Sequence, residues 1–83
     1  MQLTYTQHAR RQMERREIPW SWAKRVVASP SHRMRDPGDS TVERFYGPID
    51  ERDGRVLLAA VNTSSDPWRV VTVFFDRGMR GEA

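Results

Sequence analysis

His8 and the arginines that follow it are the residues of this chain best equipped for chemistry. The stretch Thr6-Gln7-His8-Ala9-Arg10-Arg11-Gln12-Met13-Glu14-Arg15-Arg16-Glu17-Ile18 holds one of the two histidines and four of the fourteen Lys and Arg. An imidazole takes up and releases protons near neutral pH. Guanidinium groups grip phosphate bidentately and stack on bases. Together they suit a phosphate-containing partner. Cleaving RNA without a metal needs a base for the 2′-hydroxyl proton, cations for the charge that builds at phosphorus, and an acid for the leaving oxygen. His8 is the candidate base or acid, a type of group typically worth ~10²–10⁴-fold. Arg11, Arg15 and Arg16 are candidate phosphate clamps, and Tyr46 is a candidate acid. Arg44, Arg55 and Arg69 can line the sheet side of a groove, where Trp68 or Trp22 can stack a base.

Each of these residues also has a plainer role. His8 precedes an inward-facing alanine and can serve as a hydrogen-bonded histidine tying helix to sheet. Arg16 can anchor a helix end, and Arg10 and Arg11 can pair with Glu14. Tyr46 can be sheet packing. Asp50, Glu51 and Asp53 read as an exposed acidic turn rather than a cation site. His8 and His32 stand twenty-four residues apart, with no cysteine and no His-x-x-x-His, so zinc is not expected. No cofactor motif is present: there is no Gly-rich phosphate loop, Ser-centred elbow or catalytic carboxylate pair.

The elements that must carry these residues follow from spacing. Thr6 is a plausible N-cap for a helix over roughly Thr6 to Arg16, with Ala9 and Met13 inward. Pro19 at a first helical position starts a second helix, Trp20 to Ala28, with Ala23, Val26 and Val27 inward and Ser29-Pro30 ending it. Trp22 flanks the core and Trp20 is more exposed. Gln2 to Tyr5 is an edge strand or an extended lead-in. A brief strand at His32–Met34 precedes a loop, and Thr41 to Gly47 forms a strand. Asp53-Gly54 is a hairpin turn with Gly54 at positive φ. Arg55 to Asn62 and Trp68 to Phe75 are the last two strands, and the tail from Asp76 to Ala83 is expected to fray. Those last strands are apolar on both faces. Two short helices cover one face, which leaves the other to loops, a second copy or another protein.

The 83 residues fit one domain, 1–83, with a small core. A hydrophobic fraction of 37% against 30% charged leaves the eight Phe, Trp and Tyr residues to supply much of the buried area. With no cysteine, disulfides and thiolate chemistry are ruled out. No apolar run approaches a membrane span and no signal-peptide core opens the chain, so a cytoplasmic protein is expected. Residues 1–35 hold eight Lys and Arg against Glu14 and Glu17, a balance of +6, whereas residues 36–83 come to −3. Thirteen of the fourteen cations are arginine, with Lys24 the exception. High-GC codon usage accounts for arginine over lysine; the clustering in the helical half points to nucleic acid.

The pattern Thr6-x-His8-Ala9-x-x-x-Met13-x-x-Arg16-x-Ile18 resembles the opening of a small bacterial family known as domain of unknown function 4258. That family continues into a second helix near a proline and closes on a Val-Thr-Val-aromatic strand, which Val71-Thr72-Val73-Phe74 is similar to. The likeness spans nearly the whole chain. It departs at Glu17, where the family commonly has glycine, and at Pro19, where it commonly has a serine cap. The family brings no settled activity. The order of elements also resembles RelE and BrnT toxins, metal-independent ribonucleases held by an antitoxin. The resulting expectation is an α+β domain with two N-terminal helices on a three- or four-stranded antiparallel sheet, RelE-like. Its expected function is a toxin-like, metal-independent endoribonuclease acting on RNA and neutralised by a protein partner. The alternatives are a non-catalytic interaction module, as an adaptor or a homodimer through the sheet, and nucleic-acid binding without cleavage.

Overall fold

The computed structural model describes residues 2–80. The chain runs β1 (Leu3–Tyr5), α1 (Gln7–Arg15), α2 (Trp20–Ala28), β2 (His32–Arg35), β3 (Val42–Ile49), a 3-10 turn at Asp50–Arg52, β4 (Arg55–Asn62) and β5 (Trp68–Arg80). All five strands form one sheet in the order β1-β5-β4-β3-β2. Neighbours from β2 through β5 are antiparallel, while β1 lies parallel to β5 with Leu3 opposite Trp68 and Tyr5 opposite Val70. The α+β class holds. The sheet, however, is five-stranded and mixed rather than three- or four-stranded and antiparallel, and a strand precedes the helices. The first strand has only three residues, too few for a period to show, and its partner lies at the other end of the chain. Because β1 and β2 are the two outermost strands, the helical connection between them must cross the whole sheet. That crossing lays both helices on one face.

α1 begins as its sequence predicts. The Thr6 hydroxyl accepts the Ala9 N–H at 3.1 Å, and Ala9 and Met13 are buried. α2 spans Trp20–Ala28, the expected range. Pro19 is its N-cap rather than its first helical residue, with φ −64° and ψ 147°, and its carbonyl accepts the Trp22 N–H. Between the helices, Glu17 sits at a left-handed φ of 55°. The Ile18 N–H reaches back to the Met13 carbonyl at 2.8 Å, and Ile18 is buried, as in a left-handed helix C-terminus. Glycine adopts this backbone most easily. The Arg52 guanidinium donates to the Glu17 carbonyl at 3.1 Å and ties the 3-10 turn to this corner.

The core between helices and sheet joins Ala9, Met13, Trp22, Ala23, Val26 and Val27 to Phe45, Ile49, Leu57, Ala59, Val61, Val70, Val73 and Phe75. A second apolar cluster, Val42, Tyr46, Val56, Leu58 and Ala60, lies on the face without helices, with Val71 and Phe74 half-buried beside it. The expected double-sided strands are therefore real. Asp53 at φ 56° and Gly54 at φ 76° turn the chain into β4. The fraying expected from Asp76 does not occur through Arg80: β5 stays paired across a register shift, with Val56 opposite Asp76 and Arg55 opposite Arg80. The last three residues lie outside the described range. Among the described residues, no helix is long and apolar enough to cross a membrane.

β1 shields only the first residues of β5, so the remaining outer edge of that strand needs other partners. α1 supplies them. The Thr6 N–H donates to the Val70 carbonyl at 2.9 Å, and the Thr6 hydroxyl donates to the Val71 carbonyl at 3.2 Å. The Gln12 side-chain amide oxygen, Oε1, accepts both the Val73 N–H at 2.9 Å and the Thr72 hydroxyl at 2.6 Å.

Gln12→Ala leaves the Val73 N–H without a partner and is expected to cost about 1–3 kcal/mol in urea unfolding. Glu17→Gly removes left-handed strain and is expected to raise stability by up to about 1 kcal/mol in the same measurement.

Candidate functional site

The predicted residues divide between two places. On α1, His8, Arg11, Arg15 and the following Arg16 are all exposed. At about 100° per residue, His8, Arg11 and Arg15 fall on the flank next to Gln12, away from Ala9 and Met13. Gln12 is bound to the β5 edge, so this flank runs along that edge. Among the described residues, none of these four side chains makes a hydrogen bond or ion pair, and the pairing of Arg11 with Glu14 is not made. Arg10 instead lies over the Trp20 ring at 5.7 Å. His8 is exposed and, among the described residues, makes no hydrogen bond that ties helix to sheet.

Tyr46 and Arg44 sit elsewhere, on the helix-free face of β3. The register sets His32, Tyr46, Leu58 and Phe74 in one row across β2, β3, β4 and β5, and Met34, Arg44, Ala60 and Thr72 in the next. Two strand spacings, roughly 10 Å, separate the Tyr46 strand from β5, and α1 lies beyond β5. His8 and Tyr46 therefore do not share one groove. Tyr46 has a different imidazole beside it: the His32 ring lies 5.4 Å away, tilted by 48°. Tyr46 is 4% exposed, and its hydroxyl points at the Met34 sulfur at 4.0 Å. Met34 itself is 39% exposed. Arg44 donates from Nε to Asp36 at 2.8 Å. Asp36, and after it the Tyr46 hydroxyl, hold the Arg44 guanidinium above its ordinary pKa.

From the sequence His32 stands only as a candidate metal ligand. The missed signal is period-two alternation in His32-Arg33-Met34, which places His32 and Met34 on one face once β2 is a strand. Arg33 takes the other face. It lies over Phe45 at 4.7 Å and Trp68 at 5.5 Å, and it grips Glu43 with two bonds at 2.7 and 3.0 Å. Trp68 is half-buried against Phe45 at 5.8 Å, so only part of its ring is open to a base. Arg55 covers Phe75 at 4.6 Å. Arg69 is exposed, next to Trp68 and opposite Thr4 and Asn62. Trp22 is buried beneath Arg52 at 5.1 Å and cannot stack a base. Glu51 is bound to Arg25 at 3.0 Å, and among the described residues no cluster of His, Asp or Glu could hold a metal ion.

The loop before β3 is fixed by carboxylates. Asp36 accepts from Arg44 and from the Gly38 N–H at 2.9 Å, and these two, in that order, hold its pKa below the usual 3.8. Asp39 is lowered by the Thr41 hydroxyl and N–H, and Glu43 chiefly by Arg33.

The architecture defines a small α+β protein with a helix-covered face, a helix-free face with its own buried apolar cluster and a His-Tyr-Arg group, and a cationic helix flank. The chain belongs to the family described as domain of unknown function 4258, whose model matches residues 5–75. No curated protein and no solved structure matches it significantly.

With folded pKa values depressed, the unfolded chain binds protons at higher pH than the folded one. The stabilisation from Asp36, Asp39 and Glu43 is therefore complete above their ordinary values, 3.8 for the aspartates and 4.5 for Glu43, and is lost as pH falls through the folded values. Urea midpoints are expected to hold steady down to about pH 5 and to fall below it, with a shallower fall in Asp36→Asn.

Proposed function

We propose that this protein is a toxin-like, metal-independent endoribonuclease neutralised by a protein partner. The observation that carries the reading is the row His32–Tyr46 with Arg44 beside it, on the sheet face that no helix covers. In this scheme the 2′-oxygen of RNA attacks the adjacent phosphorus and the bond to the 5′-oxygen breaks. His32 takes the 2′-proton, Tyr46 protonates the leaving oxygen, and Arg44 stabilises the charge on phosphorus. Arg44 is already oriented by Asp36, which spares reorganisation as charge builds. His8, Arg11, Arg15 and Arg16, with Arg69, hold the flanking backbone of the strand; their side chains carry no competing carboxylate among the described residues.

A second reading, nucleic-acid binding without cleavage, is favoured by the Tyr46 hydroxyl lying against Met34 rather than open to solvent. One experiment separates the two. Purified protein is incubated with labelled RNA in EDTA, and binding is measured alongside cleavage. Cleavage that falls about 10²-fold or more in His32→Ala and Tyr46→Phe, and much less in His8→Ala, supports the nuclease with this assignment. Loss concentrated in His8→Ala moves the chemistry to α1. Binding without any cleavage supports the second reading, and neither binding nor cleavage excludes both. Arg11→Ala and Arg15→Ala are each expected to lower the salt dependence of binding by about 0.7 in log–log slope.

A further inference from the structure

We infer that the open edge of β1 takes up an extended acidic segment of a protein partner as a sixth strand. This inference does not depend on whether the chain cuts RNA. β1 ends the sheet, with β5 on one side and, among the described residues, no strand on the other. In a parallel pair, alternate residues direct their backbone groups to opposite sides. The Thr6 N–H is bound to the Val70 carbonyl, so the N–H and C=O groups of Leu3 and Tyr5 face outward. Outward-facing groups of this kind are a template for strand addition.

Beside that edge runs a groove of about 510 Å³ between β1 and α2, whose lining includes Leu3, Tyr5, Trp20, Lys24 and Pro67. Trp20 is 49% exposed, the largest apolar side chain left open among the described residues. It is nevertheless fixed, edge-on to Tyr5 at 4.4 Å and 88°, with Arg10 over its ring at 5.7 Å. A rigid, exposed tryptophan next to free backbone groups is the kind of anchor that dominates strand-docking interfaces.

Charge selects the occupant. Lys24 stands one helical turn beyond Trp20, and no carboxylate lines the groove itself. Among the described residues, two acids lie in adjoining hollows: Asp66 with Gln2 and Pro67, and Glu14 with Arg10 and Trp20, where Arg10 offsets it. A strand carrying Asp or Glu beside this groove meets Lys24, the one charged side chain of its lining among the described residues. A second copy of the chain fits poorly. Pairing β1 with β1 about a two-fold axis would bring the Lys24 groups of both copies onto one interface with no carboxylate in either groove.

The test pans the full-length chain against a phage-displayed library of short random peptides and follows the selected peptides by anisotropy and amide hydrogen exchange. The expected result is enrichment of peptides with Asp or Glu among β-branched residues, slowed exchange at Leu3 and Tyr5, and about tenfold or greater weakening by Lys24→Glu and by Trp20→Ala. Lys24 is exposed, so its variant keeps the test meaningful if Trp20→Ala disturbs folding. Enrichment of neutral or basic peptides, protection at other amides, or no enrichment overturns the inference. So does a dimer of the chain alone that protects Leu3 and Tyr5.

Discussion

The hydrogen-bonding demand of one exposed strand edge sets the arrangement of this molecule. β5 is the long strand at the centre of the chain's packing, yet β1 shields only its first three residues. Past Val70 the outer backbone would face solvent or go unpaired. Thr6 and Gln12 meet that demand from a helix rather than a strand. The Thr6 hydroxyl accepts from Ala9 and donates to Val71, using its donor and an acceptor site at once. One oxygen of Gln12 serves two donors. Two attachments on adjacent helical turns fix both the position and the rotation of α1. Once the rotation is fixed, Ala9 and Met13 must face the core, and His8, Arg11 and Arg15 must face out along the β5 edge.

The arginines are sorted by place rather than by number. Beyond α1 most are committed: Arg25 of α2 to Glu51, and on the sheet and its loops Arg33 to Glu43, Arg44 to Asp36, Arg35 to the Ser40 carbonyl and Arg52 to the Glu17 carbonyl, with Arg69 an exposed exception. Others lie flat on aromatic rings, as Arg52 does over Trp22 and Arg55 over Phe75. Exposed pairs of this sort contribute little to stability, with a typical range of about 0–1 kcal/mol. Their effect is to hold guanidinium groups in set positions and to neutralise the β-rich half. Among the described residues Arg11, Arg15 and Arg16 have no such partners and Arg10 has only the Trp20 ring, so no carboxylate is paired with the positive charge of this helix flank. Codon bias explains a preference for arginine over lysine but not this spatial separation.

What could be read from the sequence was what is encoded locally. The α1 cap, the inward faces of both helices, the Asp53-Gly54 turn and the two apolar strands each depend on residues within one element. The glycine usual at the Glu17 position marked a special backbone, and φ 55° there supplies the physical reason. What could not be read depends on partners far along the chain. β1 is a strand only because β5 lies beside it, and Gln12 meets Thr72 sixty residues away. Tyr46 and Arg44 were singled out with His8 as parts of one groove. Strand order, which no local pattern encodes, moves them to the other face and gives Tyr46 the neighbour His32 instead.

The helix-free face poses a chemical problem that its own side chains answer. A phenol that is to give up a proton must be reachable, yet Tyr46 is nearly buried with its hydroxyl under Met34. The cover is a methionine on an edge strand, flexible about three side-chain bonds and already partly in solvent. Moving such a cover disturbs neither the apolar cluster of Leu58, Val56 and Ala60 below nor the Asp36–Arg44 pair beside it. The floor is packed and Arg44 is held by Asp36, whereas the Met34 side chain lies partly in solvent. A packed floor under a rotatable cover is compatible with a proton donor. An aliphatic β-branched residue at position 34 would make the same tyrosine purely structural, because its stiffer side chain could not swing aside.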